Sequence, residues 1–426
     1  MRYVIVGASA AGLAAAEAIV ARDTGAEVLL VSEEERPPYC RPLISYWLAG
    51  ESPESLFPLP TDVLSKIEFR PGCRATHLDT RARELTLGGG ERCGYDRLLI
   101  ATGADSKDLG LDGEQAGNVF GFRTWGDAAA IDGVVRGGAR RAIVLGGGLV
   151  GVKAAHALVA RGVETLVCVA SAGPLSQVAD RDAGTLAAAA LGEEGIDVRT
   201  GYVPAGFRLE AGKVTGVRFE RPGTVEACDL VIRGKGVAPR VDLFDGTGVD
   251  TRGGIPVDDR LRTPVADVWA AGDVVRCRDL AWGQERSNAI WPVAVEQGRA
   301  AGLNMAGADV PYAGSVGRNS VRIGKLHMVS AGVLSPPPEG YESRSRLLPR
   351  GMGYRKAVTR DGVLVGFISV EREQRGPASA GLFVSAVLSG TRAADLPVDP
   401  LEPGPNWEAW ATRMPLPAAS LPPVGV

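Results

Sequence analysis

Gly146-Gly147-Gly148-Leu149-Val150-Gly151 is a complete G-x-G-x-x-G turn that follows the apolar run Ala142-Ile143-Val144-Leu145. A turn of this kind, opening into a helix, offers free backbone N–H groups and the positive end of the helix dipole to a pyrophosphate. A variant stands at the beginning of the chain: Gly7-Ala8-Ser9-Ala10-Ala11-Gly12, after Val4-Ile5-Val6. Here Gly7 permits the sharp bend out of the strand and Gly12 lets the helix pack close to the sheet. Ser9 takes the place of the usual second glycine; it is small enough for close approach, and its hydroxyl can donate to phosphate. About 20 residues on, Val28-Leu29-Leu30-Val31 ends at Ser32-Glu33-Glu34, where a carboxylate accepts hydrogen bonds from an adenosine ribose. Turn, spacing and acid together predict a dinucleotide held by Gly7, Ser9, Ala10, Ala11, Gly12, Glu33 and Glu34. By the same mechanics Gly146, Gly148, Leu149, Val150 and Gly151 hold the pyrophosphate of NAD(H). The strand after that turn, Glu164 to Val169, ends without an acid, and no arginine pair follows, so the residues do not distinguish NADH from NADPH.

The elements that position these turns form two strand–turn–helix units, Arg2 to Ala21 and Arg140 to Gly162. Two such units predict an α/β chain with two Rossmann-like, three-layer ββα nucleotide domains. Residues 1–106 with 238–310 form the first domain and 107–237 the second. Beyond about Pro311 the pattern changes. SVRIGKLHMVSAG and GYRKAVTRDGVLVGFISV read as antiparallel strands, with Arg360-Asp361-Gly362 as a turn, and SAGLFVSAVLSG reads as a helix. Residues 311–396 are therefore expected to be a small C-terminal α+β domain. Residues 397–426 are proline-rich and lack a period, which predicts an extended tail. Its Trp407 and Trp410 either pack on the chain's own domain or anchor a partner subunit.

Composition narrows the function classes. Forty-seven basic residues nearly balance 50 acidic ones among 426, a net charge of −3. That gives no bulk field to recruit nucleic acid or an anionic membrane. No apolar run reaches the ~20 residues of a transmembrane helix, and Met1-Arg2 leads straight into the first strand rather than into a signal peptide. The expectation is a soluble cytoplasmic protein. Cys40, Cys73, Cys93, Cys168, Cys228 and Cys277 include no C-x-x-C pair, which argues against a redox dithiol, an iron–sulfur cluster or a metal site in this chain.

Three further segments carry a resemblance. Glu33 to Ser45 (EEERPPYCRPLIS), Ala101-Thr102-Gly103 and Ala271-Gly272-Asp273 occur in the order found in FAD-dependent pyridine nucleotide-disulfide oxidoreductases. The chain resembles that superfamily up to about Gly390. It is most similar to rubredoxin and ferredoxin reductases and to the flavin domain of NADH-dependent nitrite reductase. Similar flavin subunits accompany carbon monoxide dehydrogenases and tungsten aldehyde oxidoreductases. The resemblance implies FAD as cofactor and NAD(H) as substrate, with Ala101, Thr102, Gly103, Gly272 and Asp273 on the FAD and Gly236 beside the nicotinamide. In the disulfide-reducing relatives a reactive cysteine lies against the flavin. That position here holds Pro42, with Cys40 two residues earlier, so the ring itself is the expected redox centre and no cysteine is redox-active. Arg41, Pro42, Tyr46, Lys153 and Trp291 are the candidates near the ring. Tyr46 replaces a lysine of the ferredoxin reductases, and Lys153 a common glutamate.

The implied reaction is electron exchange between NAD(H) and a separate iron–sulfur, ferredoxin-like protein, with this chain as the flavin subunit of a larger redox complex such as an aldehyde oxidoreductase. Two other readings stand beside it: a stand-alone NADH oxidase reducing oxygen, and a non-catalytic FAD-bearing assembly subunit.

Overall fold

In a computed structural model of the chain, the structure describes residues 1–51, 62–348, 353–372 and 376–402. The first sheet is parallel throughout, in the order Val268–Ala270, Arg97–Ile100, Arg2–Val6, Glu27–Val31, Glu68–Arg70. Because successive strand residues face opposite sides, one strand serves two cores. Tyr3 and Ile5 pack with the helix Ala10–Arg22, whereas Val4 and Val6 pack with Leu78 and Leu85 of a three-stranded antiparallel meander. The second sheet repeats this plan, in the order Asp197–Thr200, Glu164–Val169, Arg141–Leu145, Leu230–Arg233, Val119–Phe120. Ala142 and Val144 face helices, while Ile143 and Leu145 face a second meander through Phe207, Val214 and Phe219. Both units are thus three-layer ββα structures. The chain crosses between them twice, along Ala104–Ser106 and Val237–Pro239, which pair antiparallel.

A five-stranded antiparallel sheet follows, in the order Arg318–Ile323, Leu326–Gly332, Val363–Glu371, Gly353–Arg360, Glu342–Leu348. One face carries the helix Gly376–Ser389 through Phe367 and Phe383, whose ring centroids are 4.7 Å apart. The other face packs on the second nucleotide unit, where Tyr354 donates to Asp180 at 2.6 Å and Lys356 pairs with it at 3.0 Å. The edge strand Glu342–Leu348 (ESRSRLL) is exposed up to its last residue, so it has no alternating apolar pattern to announce it. At residues 400–402 the backbone is held by buried Arg355, which donates to the Glu402 carbonyl at 2.7 Å. Trp407, Trp410 and the rest of the tail from residue 403 lie outside the described residues. No helix among the described residues is long and apolar enough to cross a membrane.

The helix Trp291–Met305 lies against Ala10–Arg22 at close range. A Cβ on Gly298 would fall 2.1 Å from the Ala11 carbonyl oxygen, and one on Gly302 would fall 2.5 Å from that of Ala15. Backbone meets backbone at both points, so neither contact can relax by a rotamer change. Gly302→Val should therefore cost roughly 3 kcal/mol as an overpacked core and lower the thermal midpoint by several degrees, as read from near-UV circular dichroism.

Candidate active site

The two helices that pack through these glycines bring their N-termini to one cavity of about 740 Å³, within the range of sites that enclose whole cofactors. The first turn lines it through Gly7, Ser9, Ala10 and Ala11. Gly7 has φ +112°, and a Cβ there would sit 2.2 Å from the Ala101 carbonyl oxygen, so only glycine allows the turn to meet Ala101-Thr102-Gly103. Gly12 lies just behind: its Cβ would be 1.8 Å from the Gly7 carbonyl oxygen, the tight helix–sheet approach expected of it. Ser9 is the N-cap residue, but its side chain does not cap the helix. The first-turn N–H groups, which have no intrahelical acceptor, are left for a ligand.

Glu33 and Glu34 both line the cavity, and each has a cation. Glu33 pairs with Arg240, which also binds Asp105 at 2.6 Å. Glu34 pairs with Arg41 and accepts the Tyr39 hydroxyl at 2.7 Å; Tyr39 in turn accepts from the Trp125 amide at 2.7 Å. Burial pushes the Tyr39 phenol well above its ordinary pKa, so it stays a neutral donor. Gly272, at φ +86°, donates its amide to buried Gln297 at 2.8 Å and thereby aims Asp273. Arg123 meets Asp273 at 2.8 Å, and its carbonyl accepts from Arg41 at 3.3 Å. The Arg123 Nε–H is buried without an acceptor among the described residues. An orphaned cationic donor lining the same cavity as free helix amides suits a phosphate. The residues present fit FAD: the turn from Gly7 and Arg123 would hold its pyrophosphate, Glu33 and Glu34 would meet its adenosine end, and Trp291, Pro292 and the 41–45 segment would border its ring.

Arg41, Pro42, Ile44 and Ser45 line this last part, and Tyr46 does not. The short helix Ile44–Leu48 buries Ile44, Ser45 and Leu48. At 100° per residue that turns Tyr46 outward, where it is 44% exposed. Cys40 is also absent from the lining, and burial, partly opposed by Lys153, raises its thiol pKa, the wrong direction for a thiolate nucleophile.

Leu149 and Val150 of the second turn, and Lys153 of the helix it opens, line the same cavity, whereas Gly146, Gly148 and Gly151 do not. Gly146 has φ +119°; a Cβ there would lie 2.5 Å from the Gly234 carbonyl oxygen, and one on Gly151 would lie 2.0 Å from that of Gly146. Gly148, the N-cap at φ −73°, has nothing nearer than 3.8 Å to an added Cβ, so the space above it is open. Gly234 is the residue packed against this turn. Gly236, two residues later, opens the crossover strand, and its carbonyl accepts from Lys107 at 3.1 Å. Val169 is buried against the turn and offers no hydrogen bond to a ribose. Lys153 reaches from this helix to the Pro42 carbonyl at 3.3 Å and lies 5.9 Å from the Tyr46 ring centroid. Burial lowers its pKa, with Cys40 acting in the other direction.

Arg123, Arg240, Ser45 and the Arg318-Asn319-Ser320 strand end all line the cavity, and none was singled out in the sequence. For Arg123 a local signal existed: Thr124 and Asp127 form a capping box that starts the helix Trp125–Arg136 and fixes Arg123 just ahead of it.

The family model for pyridine nucleotide-disulphide oxidoreductases matches residues 1–298. The chain belongs to this family. As a member it is an FAD-dependent oxidoreductase acting on a pyridine nucleotide, NAD(P)H. It is 33% identical over 391 residues to the NADH-dependent phenylglyoxylate dehydrogenase subunit epsilon of Aromatoleum evansii, covering 90% of this chain and 91% of that one. It is 32% identical over 316 residues to the ferredoxin–NAD(+) reductase component of the anthranilate 1,2-dioxygenase system of Burkholderia cepacia, covering 73% and 77%. Among solved structures, the covalent putidaredoxin reductase–putidaredoxin complex is similar with a TM-score of 0.82 and 25% identity over 94% of each chain. The first and third of these likenesses, at 90% and 94% of this chain, extend past the nucleotide units into the C-terminal sheet.

Proposed function

We propose that this oxidoreductase carries electrons between NADH and a separate iron–sulfur protein, as the flavin subunit of a larger cytoplasmic redox complex. The observation that carries the reading is the one cavity lined both by Gly7, Ser9 and Ala10 of the first turn and by Leu149 and Val150 of the second. FAD held there would supply hydride acceptance, two electrons with one proton, and one-electron release. The chain's own part is placement. The turn at residues 146–151 would hold the pyridine nucleotide by its pyrophosphate, and Leu149 and Val150 would border its nicotinamide. Pro42 stands where the disulfide-reducing relatives would place a thiol, so this position would not relay electrons through a cysteine.

The one-electron partner is supported by relatives that are named as reductases of ferredoxin and rubredoxin. The complex is supported by a subunit-epsilon relative that matches nearly end to end. The carbon substrate, an aldehyde or another oxidisable carbonyl compound, would then be chosen by other subunits. Affinity purification from the native host tests this. The expected result is a stable assembly containing an iron–sulfur polypeptide whose clusters NADH reduces only when this chain is present. A lone chain that turns over NADH with oxygen at full rate would instead establish the oxidase reading.

A further inference from the structure

Four of the arginines that line the cavity have a carboxylate partner: Arg41 with Glu34, Arg123 with Asp273, Arg240 with Glu33, and Arg318 with Glu296. A fifth, Arg74, is exposed at the adenosine end. Lys153 is half-buried and has no carboxylate within salt-bridge distance among the described residues. It reaches a neutral carbonyl, at Pro42, and the face of Tyr46. A partly desolvated ammonium without a counter-charge is costly, and the cost falls when an anionic ligand group arrives beside it. The position of the side chain narrows which group that is. It sits more than a helical turn into Leu149–Ala160, beyond the N–H groups that would meet a pyrophosphate, and it points at the 40–46 segment. The same helix is fixed to that segment again at its far end, where Arg161 donates to the Leu48 carbonyl at 3.0 Å. The helix that carries Lys153 is therefore tied to the 42–48 stretch at two points.

We propose that Lys153 is the cation facing the redox-active ring of the cofactor and that it stabilises the negative charge the ring gains on reduction. This rests on the hydride-transfer reading above. Hydride transfer moves two electrons and one proton from the nicotinamide, which leaves as NAD⁺, to the ring, which then carries one negative charge unless a second proton follows from solvent. The Lys153 ammonium offsets that charge without giving up a proton. A residue on the nucleotide-binding helix thus sets how readily the neighbouring cofactor accepts electrons.

The test is the two-electron midpoint potential of the bound flavin in the holoprotein, measured with dithionite and reference dyes for wild type, K153M, K153Q and K153R. K153M and K153Q should each shift the reduction equilibrium at least tenfold toward the oxidised form, a fall of about 30 mV, with FAD content unchanged. K153R, which keeps the charge, should stay within threefold of wild type. An unchanged potential in the neutral variant that retains FAD overturns the proposal. So does an equal fall in K153R, which would assign the effect to packing. Because dithionite replaces NADH in this titration, the two readings fail separately. A wild-type flavin that NADH does not bleach overturns the proposed function, whereas an unshifted potential overturns only the role of Lys153.

Discussion

Glutamate in place of Ser9 will give a folded but colourless protein. Ser9 lines the cavity in an extended N-cap conformation and makes no capping bond of its own. A carboxylate at this position can turn back onto the first-turn N–H groups and gains about 0.3–1 kcal/mol from the helix dipole, so the fold keeps its stability. The same carboxylate takes the place of the cofactor's pyrophosphate and repels it. A penalty of about 3 kcal/mol is more than a hundredfold in affinity. Far-UV circular dichroism should match wild type, while the purified S9E protein should lack flavin absorbance and fail to reconstitute with added FAD. A yellow, stoichiometrically loaded S9E protein would place the cofactor elsewhere.

The matching change in the second turn should separate the two sites. At Gly148 an added Cβ meets nothing closer than 3.8 Å and φ is negative, so Gly148→Glu is tolerated by the backbone. Its carboxylate would occupy the space in which the pyridine nucleotide's pyrophosphate is held. By the same reasoning, G148E should retain FAD and be reduced normally by dithionite, yet lose at least about a hundredfold in the rate at which low NADH bleaches it. The contrast with Gly151 is instructive. A Cβ there would collide with the Gly146 carbonyl at 2.0 Å, so substitution would damage the fold and the site together. Anaerobic stopped-flow absorbance of G148E against wild type provides the measurement. Unchanged NADH reduction in G148E would assign the nucleotide to another surface.

What was legible in the sequence follows from how local each feature is. Both glycine turns are set by steric limits within a few residues, and both stand at strand ends where the spacing puts them. The antiparallel strands on either side of Asp361-Gly362 were likewise readable, since both residues take positive φ in a tight hairpin turn. Arg123, Arg240 and Arg318 reach the cavity from three different segments, and their partners are 150, 207 and 22 residues away in sequence, so no spacing rule reveals these pairings, although the capping box at Thr124 marks the place of Arg123. Tyr46 shows the opposite failure. A linear motif placed it beside its neighbours, but one helical step turns it to the surface while Ser45 faces the cavity. The edge strand Glu342–Leu348 had no signal to give, because burial on neither face imposes a period.

Both nucleotides are expected to act within one chamber. Anaerobic titration of the purified yellow protein with NADH, with no other protein present, tests it most directly. The visible flavin bands should bleach fully with one equivalent of NADH per bound FAD. A flavin that dithionite reduces but excess NADH leaves oxidised would contradict the account.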